Sequence, residues 1–119
     1  MHGPWRDILL QAGGALAIAV ALFHGVIGET TVFRHAHIEP ARIRLLLRLI
    51  WQAGTVAWCG CGVLLIAAPR FDPAARHWIV LTCAAIYAAG IFGNAWVSGG
   101  RHPGWMLLSA AVALSLAGL

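Results

Sequence analysis

Residues 8–33 read ILLQAGGALAIAVALFHGVIGETTVF, an apolar block of 26 residues with one carboxylate, Glu29, near its far end. About 20 such residues suffice to cross the hydrocarbon core of a bilayer as an α-helix. A helix that is apolar on all sides is buried in lipid or in a large core, and 119 residues leave no room for a large core. The block therefore reads as a transmembrane helix. Three more follow: roughly 43–68, stopped by Pro69; roughly 77–98, stopped by Gly99 and Gly100; and roughly 103–119, opened by Pro103.

The expected fold is all-α, a four-helix up-and-down transmembrane bundle made of a single domain, residues 1–119. Short loops join antiparallel neighbours. Barrel strands would be short and alternating, which these blocks are not, and in lipid a helix satisfies its backbone groups within its own segment. Composition agrees: 61% of residues are hydrophobic and 10% charged, against about 25% charged in a soluble domain, and mean hydropathy is +0.81. Nothing at the N-terminus reads as a cleaved signal, because the first block is too long for a signal core and carries a carboxylate.

All eight basic residues are arginines and the net charge is +4. They stand between and at the ends of apolar blocks, where they serve topology and headgroup contact and point to the lipid bilayer, not nucleic acid, as partner. Arg34, Arg42, Arg44, Arg48 and Arg101 flank the first and third loops, while Arg6, Arg70 and Arg76 lie on the other side. Five against three favours loops 1 and 3 in the cytoplasm and both termini outside. The odd set Cys59, Cys61 and Cys83 lies inside apolar blocks. Side chains two apart on a helix point about 200° from each other, so Cys59 and Cys61 are expected to pack and not to form a disulfide or bind metal.

Polar residues gather in one half of the expected bundle. Glu29, Thr30 and Thr31 end helix 1; Arg44, Arg48 and Gln52 begin helix 2; Asn94 and Ser98 end helix 3; His102, Trp105 and Ser109 begin helix 4. The other half is nearly all Ala, Leu, Ile and Val. Arg44, Arg48, Gln52, Thr55 and Cys59 share one face of helix 2, and Cys83, Tyr87, Gly90, Asn94 and Ser98 one face of helix 3. These two stripes are expected to face each other, because lipid exposure of polar groups costs free energy. The candidate ligand or proton site is His24, Glu29, Arg48, Gln52, Asn94, Arg101, His102 and Trp105.

Glu29 lies about 6 Å inside the end of helix 1, and Arg48 is at matching depth. The two form either an ion pair closing the helix 1–2 hairpin or a titrating proton or cation site. His24, about 13 Å inside, is either a core histidine bonded to Gln52 or Thr55 or a haem or metal ligand, although no second histidine lies at its depth. His35, His37 and Glu39 read as headgroup-level residues of loop 1, so no metal site is assigned. Trp5, Trp78, Trp96 and Trp105 suit an aromatic belt. Trp51 and Trp58, one heptad apart, either wall a pocket for an apolar or cationic ligand or simply pack. Gly-x-Ser-x-Gly, phosphate-loop and His-Glu-x-x-His motifs are absent, so no catalytic residues are assigned, and the cofactor is left unknown.

Three stretches resemble a group of small bacterial inner-membrane proteins without an assigned activity: His24-Gly25-Val26-Ile27-Gly28-Glu29, Trp51 through Trp58, and Gly100-Arg101-His102-Pro103-Gly104-Trp105. That resemblance implies an inner-membrane location and a site built from His24, Glu29, Arg101 and His102. In size and helix number the chain is also similar to the small multidrug resistance transporters, which exchange protons for cationic drugs through a glutamate midway along helix 1. It departs from them in two ways: Glu29 stands near the helix end, and helix 3 carries Tyr87 and Gly90 but not their Trp-Gly segment.

The leading expectation is a non-enzymatic membrane protein, either an accessory subunit of a larger membrane complex or a self-associating homo-oligomer, whose polar cluster is structural or binds a small ligand. The alternatives are a homodimeric proton-coupled cation or small-molecule transporter with Glu29 titrating, and a haem- or quinone-associated redox protein centred on His24.

Overall fold

Proline at the first helical position forfeits no hydrogen bond, and helix α1 begins there, at Pro4, ahead of the apolar block. The computed structural model, which describes residues 3–119, carries α1 as an α-helix over Pro4–Ile27, a π-helical turn over Gly28–Val32 and a last α-turn over Phe33–His35. Helix α2 spans Ala41–Ala67 and closes in a 3-10 turn, Ala68–Arg70. Helix α3 spans Pro73–Ser98, and α4 spans Gly104–Ala117. Among the described residues there is no strand.

The ends of α3 follow from local chemistry. Asp72 caps its start, its carboxylate accepting from the amides of Ala74 and Ala75 at 3.0 and 3.1 Å. Its far end is a left-handed pair, Gly99 at φ 61° and Gly100 at φ 77°. Gly100 N–H donates to Ala95 O and Gly99 N–H to Trp96 O, which satisfies carbonyls the helix leaves open. A side chain at either position would be strained.

The chain is all-α with four helices. Three segments, Pro4–His35, Ala41–Arg70 and Pro73–Ser98, are long and apolar enough to cross a membrane. Helix α4 has 14 residues, about 21 Å at 1.5 Å per residue, and is shorter than a full crossing of about 30 Å.

Helix α1 is the centre of the bundle: 39% of its most apolar stretch is buried, against 17% for α2 and for α3. Small residues let its neighbours approach. A Cβ on Gly14 would stand 2.6 Å from Gly62 O, and one on Gly62 would stand 2.8 Å from Gly14 O, so α1 and α2 meet backbone to backbone. A Cβ on Gly13 would stand 2.9 Å from Ala111 O, which fixes α4 on the other side of α1. Leu10, Leu65, Val80, Leu108 and Ala111 fill the space between, each at most 2% exposed. The outer flanks of α2 and α3 expose Leu49, Ile50, Val56, Trp78, Phe92 and Trp96, faces suited to lipid.

The half containing the chain ends is not the featureless one expected. Arg76, read from sequence as a topology charge, is buried at 4% exposure. Its Nη1 donates to Asp7 at 2.6 Å and its Nη2 to Gly118 O at 2.5 Å, joining α3 to the starts of α1 and the end of α4. Arg6 reaches Leu119 O beside it. The pairing spans 69 positions of sequence, so no local pattern announces it.

Candidate functional site

In the opposite half, the one bounded by the first and third loops, the bundle opens. A cavity of about 480 Å³ lies between all four helices. Helix α1 contributes His24 and Phe23, α2 contributes Trp51 and Trp58, α3 contributes Gly90 and Asn94, and α4 and its preceding turn contribute His102 and Trp105.

Local structure places each of these. His24 lies flat on Trp51, ring centroids 4.2 Å apart and planes 2° apart, with Trp58 tilted against it at 4.6 Å. Its Nδ1 is 2.9 Å from Thr55 Oγ1. Trp51 is held in turn by its Nε1, which donates to His24 O at 2.8 Å, and by the edge of Phe33. Gly28 and Gly90 make room for the two indoles: a Cβ on either would fall inside van der Waals reach of Trp51 or Trp58. Tyr87, fully buried, donates to Trp58 O at 2.7 Å. Among the described residues, the hydrogen bonds and ring contacts joining α2 to α3 end at this tryptophan. Beyond it the cavity lies between residues of both helices.

The turn between α3 and α4 builds the other wall. Trp105 Nε1 donates to Gly100 O at 3.0 Å. The amide of Gly104 donates to His102 Nδ1 at 3.0 Å, and the His102 ring stacks on Phe23 at 6.3 Å. Ser98 Oγ is committed to Asn94 O. The Asn94 side chain differs from all these: its Oδ1 is buried without a hydrogen-bond partner.

The eight residues singled out from sequence divide into two groups and one outlier. Glu29, Arg48 and Gln52 form the first. Arg48 Nε and Nη2 both reach Glu29 Oε2 at 2.6 Å, and Gln52 Nε2 donates to Glu29 Oε1 and to Gly25 O, each at 3.0 Å. Both carboxylate oxygens are thus occupied, and Arg44 adds a bond to Phe33 O. This group fastens the π-turn of α1 to α2 and does not line the cavity. His24, Asn94, His102 and Trp105 form the second group and do line it. Arg101 is exposed on the turn.

The polar stripe of α2 accordingly faces α1, not the stripe of α3 as expected. The reason is supply: the Glu29 carboxylate, the His24 imidazole and the accepting carbonyls of His24, Gly25 and Phe33 all lie on α1. The stripe of α3 divides between Trp58, through Tyr87, and the cavity, through Asn94. In loop 1, His37 and Glu39 stand 3.4 Å apart and open to solvent, and among the described residues no three His, Cys, Asp or Glu side chains converge as for a metal. Cys83 donates its thiol to Cys61 O at 3.6 Å and all three cysteines are free.

No protein family, no characterised protein and no solved structure matches this chain.

Proposed function

We propose that this protein is a non-enzymatic, membrane-embedded binding protein that holds a small lipophilic molecule between its four helices, near the membrane face of loops 1 and 3. The observation that carries this reading is the cavity of about 480 Å³. Its volume lies in the range of small-molecule sites, about 300–1,000 Å³, and its make-up is theirs: apolar and aromatic walls with few polar groups. Asn94 supplies one of those polar groups. The arginine distribution supports an inner-membrane orientation with loops 1 and 3 cytoplasmic. A binding role is favoured over proton-coupled transport because both Glu29 oxygens are engaged and Glu29 lies outside the cavity wall.

The test is mass spectrometry of what organic solvent extracts from protein purified in mild detergent. Wild type should yield a stoichiometric small molecule beyond bulk lipid, and a cavity-filled variant, Gly93→Phe, should not. Gly93 lines the cavity and a Cβ there meets nothing within 4 Å, so a side chain can start from that position without a clash. Identical extracts from the two proteins would defeat the proposal.

A further inference from the structure

The guest of the cavity is defined by the polar atoms its wall has left to offer, a reading that rests on the binding role above. Among the lining residues there is no arginine, aspartate or glutamate. A formally charged head would meet no counter-charge at this depth, at a large desolvation cost. The guest is therefore neutral, and the wall decides whether its polar atom gives or receives a hydrogen bond.

Most N–H and O–H groups of the wall are already spent. Trp51 Nε1 donates to His24 O, Trp105 Nε1 to Gly100 O and Ser98 Oγ to Asn94 O, and His24 Nδ1 is held by Thr55. Two groups at the α3–α4 corner are not spent. His102 Nδ1 accepts from Gly104 N–H at 3.0 Å, so in the neutral ring the proton is on Nε2, a donor. Asn94 Oδ1 is sealed inside the protein, so the amide atom by which Asn94 lines the cavity is Nδ2, a second donor. The two are neighbours: from the point where a Gly104 Cβ would stand, His102 Cε1, the carbon bonded to Nε2, is 3.1 Å away and Asn94 Nδ2 is 3.7 Å away. Neither donor meets an acceptor among the described residues. A purely apolar guest would cover both and leave them unpaired. A hydroxyl would accept from them but brings a proton that needs an acceptor of its own. A carbonyl oxygen receives two hydrogen bonds on its two lone pairs and brings no proton.

We infer that the cavity selects an uncharged, lipid-soluble carbonyl compound, of the ketone, quinone or ester class, its oxygen seated against the N–H groups of Asn94 and His102.

The experiment compares four probes that share a ring and a tail and differ at one group: the ketone 4-hexylacetophenone, the alcohol 1-(4-hexylphenyl)ethanol, the hydrocarbon 1-ethyl-4-hexylbenzene and the anion 4-hexylbenzoate. Each is equilibrated between nanodiscs carrying the tagged protein and empty nanodiscs of the same lipid. The two are separated on the tag, and the saturable excess per protein is measured by mass spectrometry. Sharing each probe between equal bilayers cancels its partition into lipid. The ketone should bind more tightly than the alcohol and the anion, and at least about tenfold more tightly than the hydrocarbon. Tenfold is about 1.4 kcal/mol, which one stranded donor suffices to supply. In Asn94→Leu, of similar volume but without the N–H and checked for native helicity by circular dichroism, the ketone's advantage over the hydrocarbon should shrink at least about threefold. The wild-type order decides the matter even where that variant does not fold. Any of the other three probes binding as tightly as the ketone would overturn the carbonyl class while leaving the cavity a binding site. No saturable excess of any of the four would overturn the binding role as well.

Discussion

The two halves of this bundle are built from the same kinds of residue and behave as opposites. In the half holding the chain ends, α1 meets α2 through Gly14 and Gly62 and meets α4 through Gly13, and a buried arginine finds both a carboxylate and a carbonyl. In the half of loops 1 and 3, glycines at 28 and 90 admit indole rings, and a cavity lies between the helices. Small residues therefore do two jobs in one molecule. Opposite a backbone they close the gap, and opposite a tryptophan they frame a hole. Which job a glycine does is set by what faces it, not by its own position in the sequence.

Four experiments break or sharpen this contrast, each read as a change in free energy of reversible unfolding in mixed micelles. The largest effect belongs to Asp7→Ala. It strands Arg76, whose side chain is 5% exposed, and should cost about 3 kcal/mol. A loss below about 1 kcal/mol would mean that the closed half is not held by that pair. Next is Gly62→Ala, whose new methyl would press on Gly14 O and Ile18 and should cost about 1–3 kcal/mol through overpacking. In the open half the ion pair should matter less. Glu29 and Arg48 are 37% and 44% exposed, so a double-mutant cycle with Glu29→Gln and Arg48→Gln should give a coupling of at most about 1 kcal/mol. The smallest effect has the opposite sign. Gly93→Ala places a methyl where nothing lies within 4 Å and should stabilise the helix by about 0.5–1 kcal/mol. If Gly93→Ala and Gly62→Ala moved stability together, the division into a closed and an open half would fail.

The helices were legible because hydrophobic length is a property of contiguous residues. The expected segments 8–33, 43–68 and 77–98 lie within a few residues of α1, α2 and α3, and the shortfalls are at helix starts, where Pro4 and the Asp72 cap read as breakers and hide the helix they begin. The Glu29–Arg48 pair was legible for a similar reason, since two charges at equal depth across a short loop have few other partners. Thr55 as a partner for His24 followed from the same depth matching. What stayed hidden depends on rotation about the helix axes. The direction in which the α2 stripe points, the clasp of His24 by Trp51 and Trp58, and the isolation of Asn94 all require knowing how far each helix is turned. Helical spacing reports which residues share a face and not which neighbour that face meets. Trp51 and Trp58, seven apart and too deep for an interfacial belt, and the singled-out residues His24, Asn94, His102 and Trp105 were the traces of the cavity wall in the sequence.

In the π-turn of α1, Phe33 N–H reaches back five residues to Gly28 O instead of the usual four. One residue is thereby inserted into the helical count, and everything beyond it is wound about 100° out of step with Pro4–Ile27. Phe33, at 5% exposure, is swung inward against the edge of Trp51 by that added residue. Deleting any one of Glu29, Thr30 or Thr31 should restore an unbroken α ladder while leaving Phe33, Arg34 and His35 on the side they now occupy, with Phe33 N–H still bonded to Gly28 O. A single surplus amide thus sets the join between the long apolar shaft of α1 and the loop it delivers.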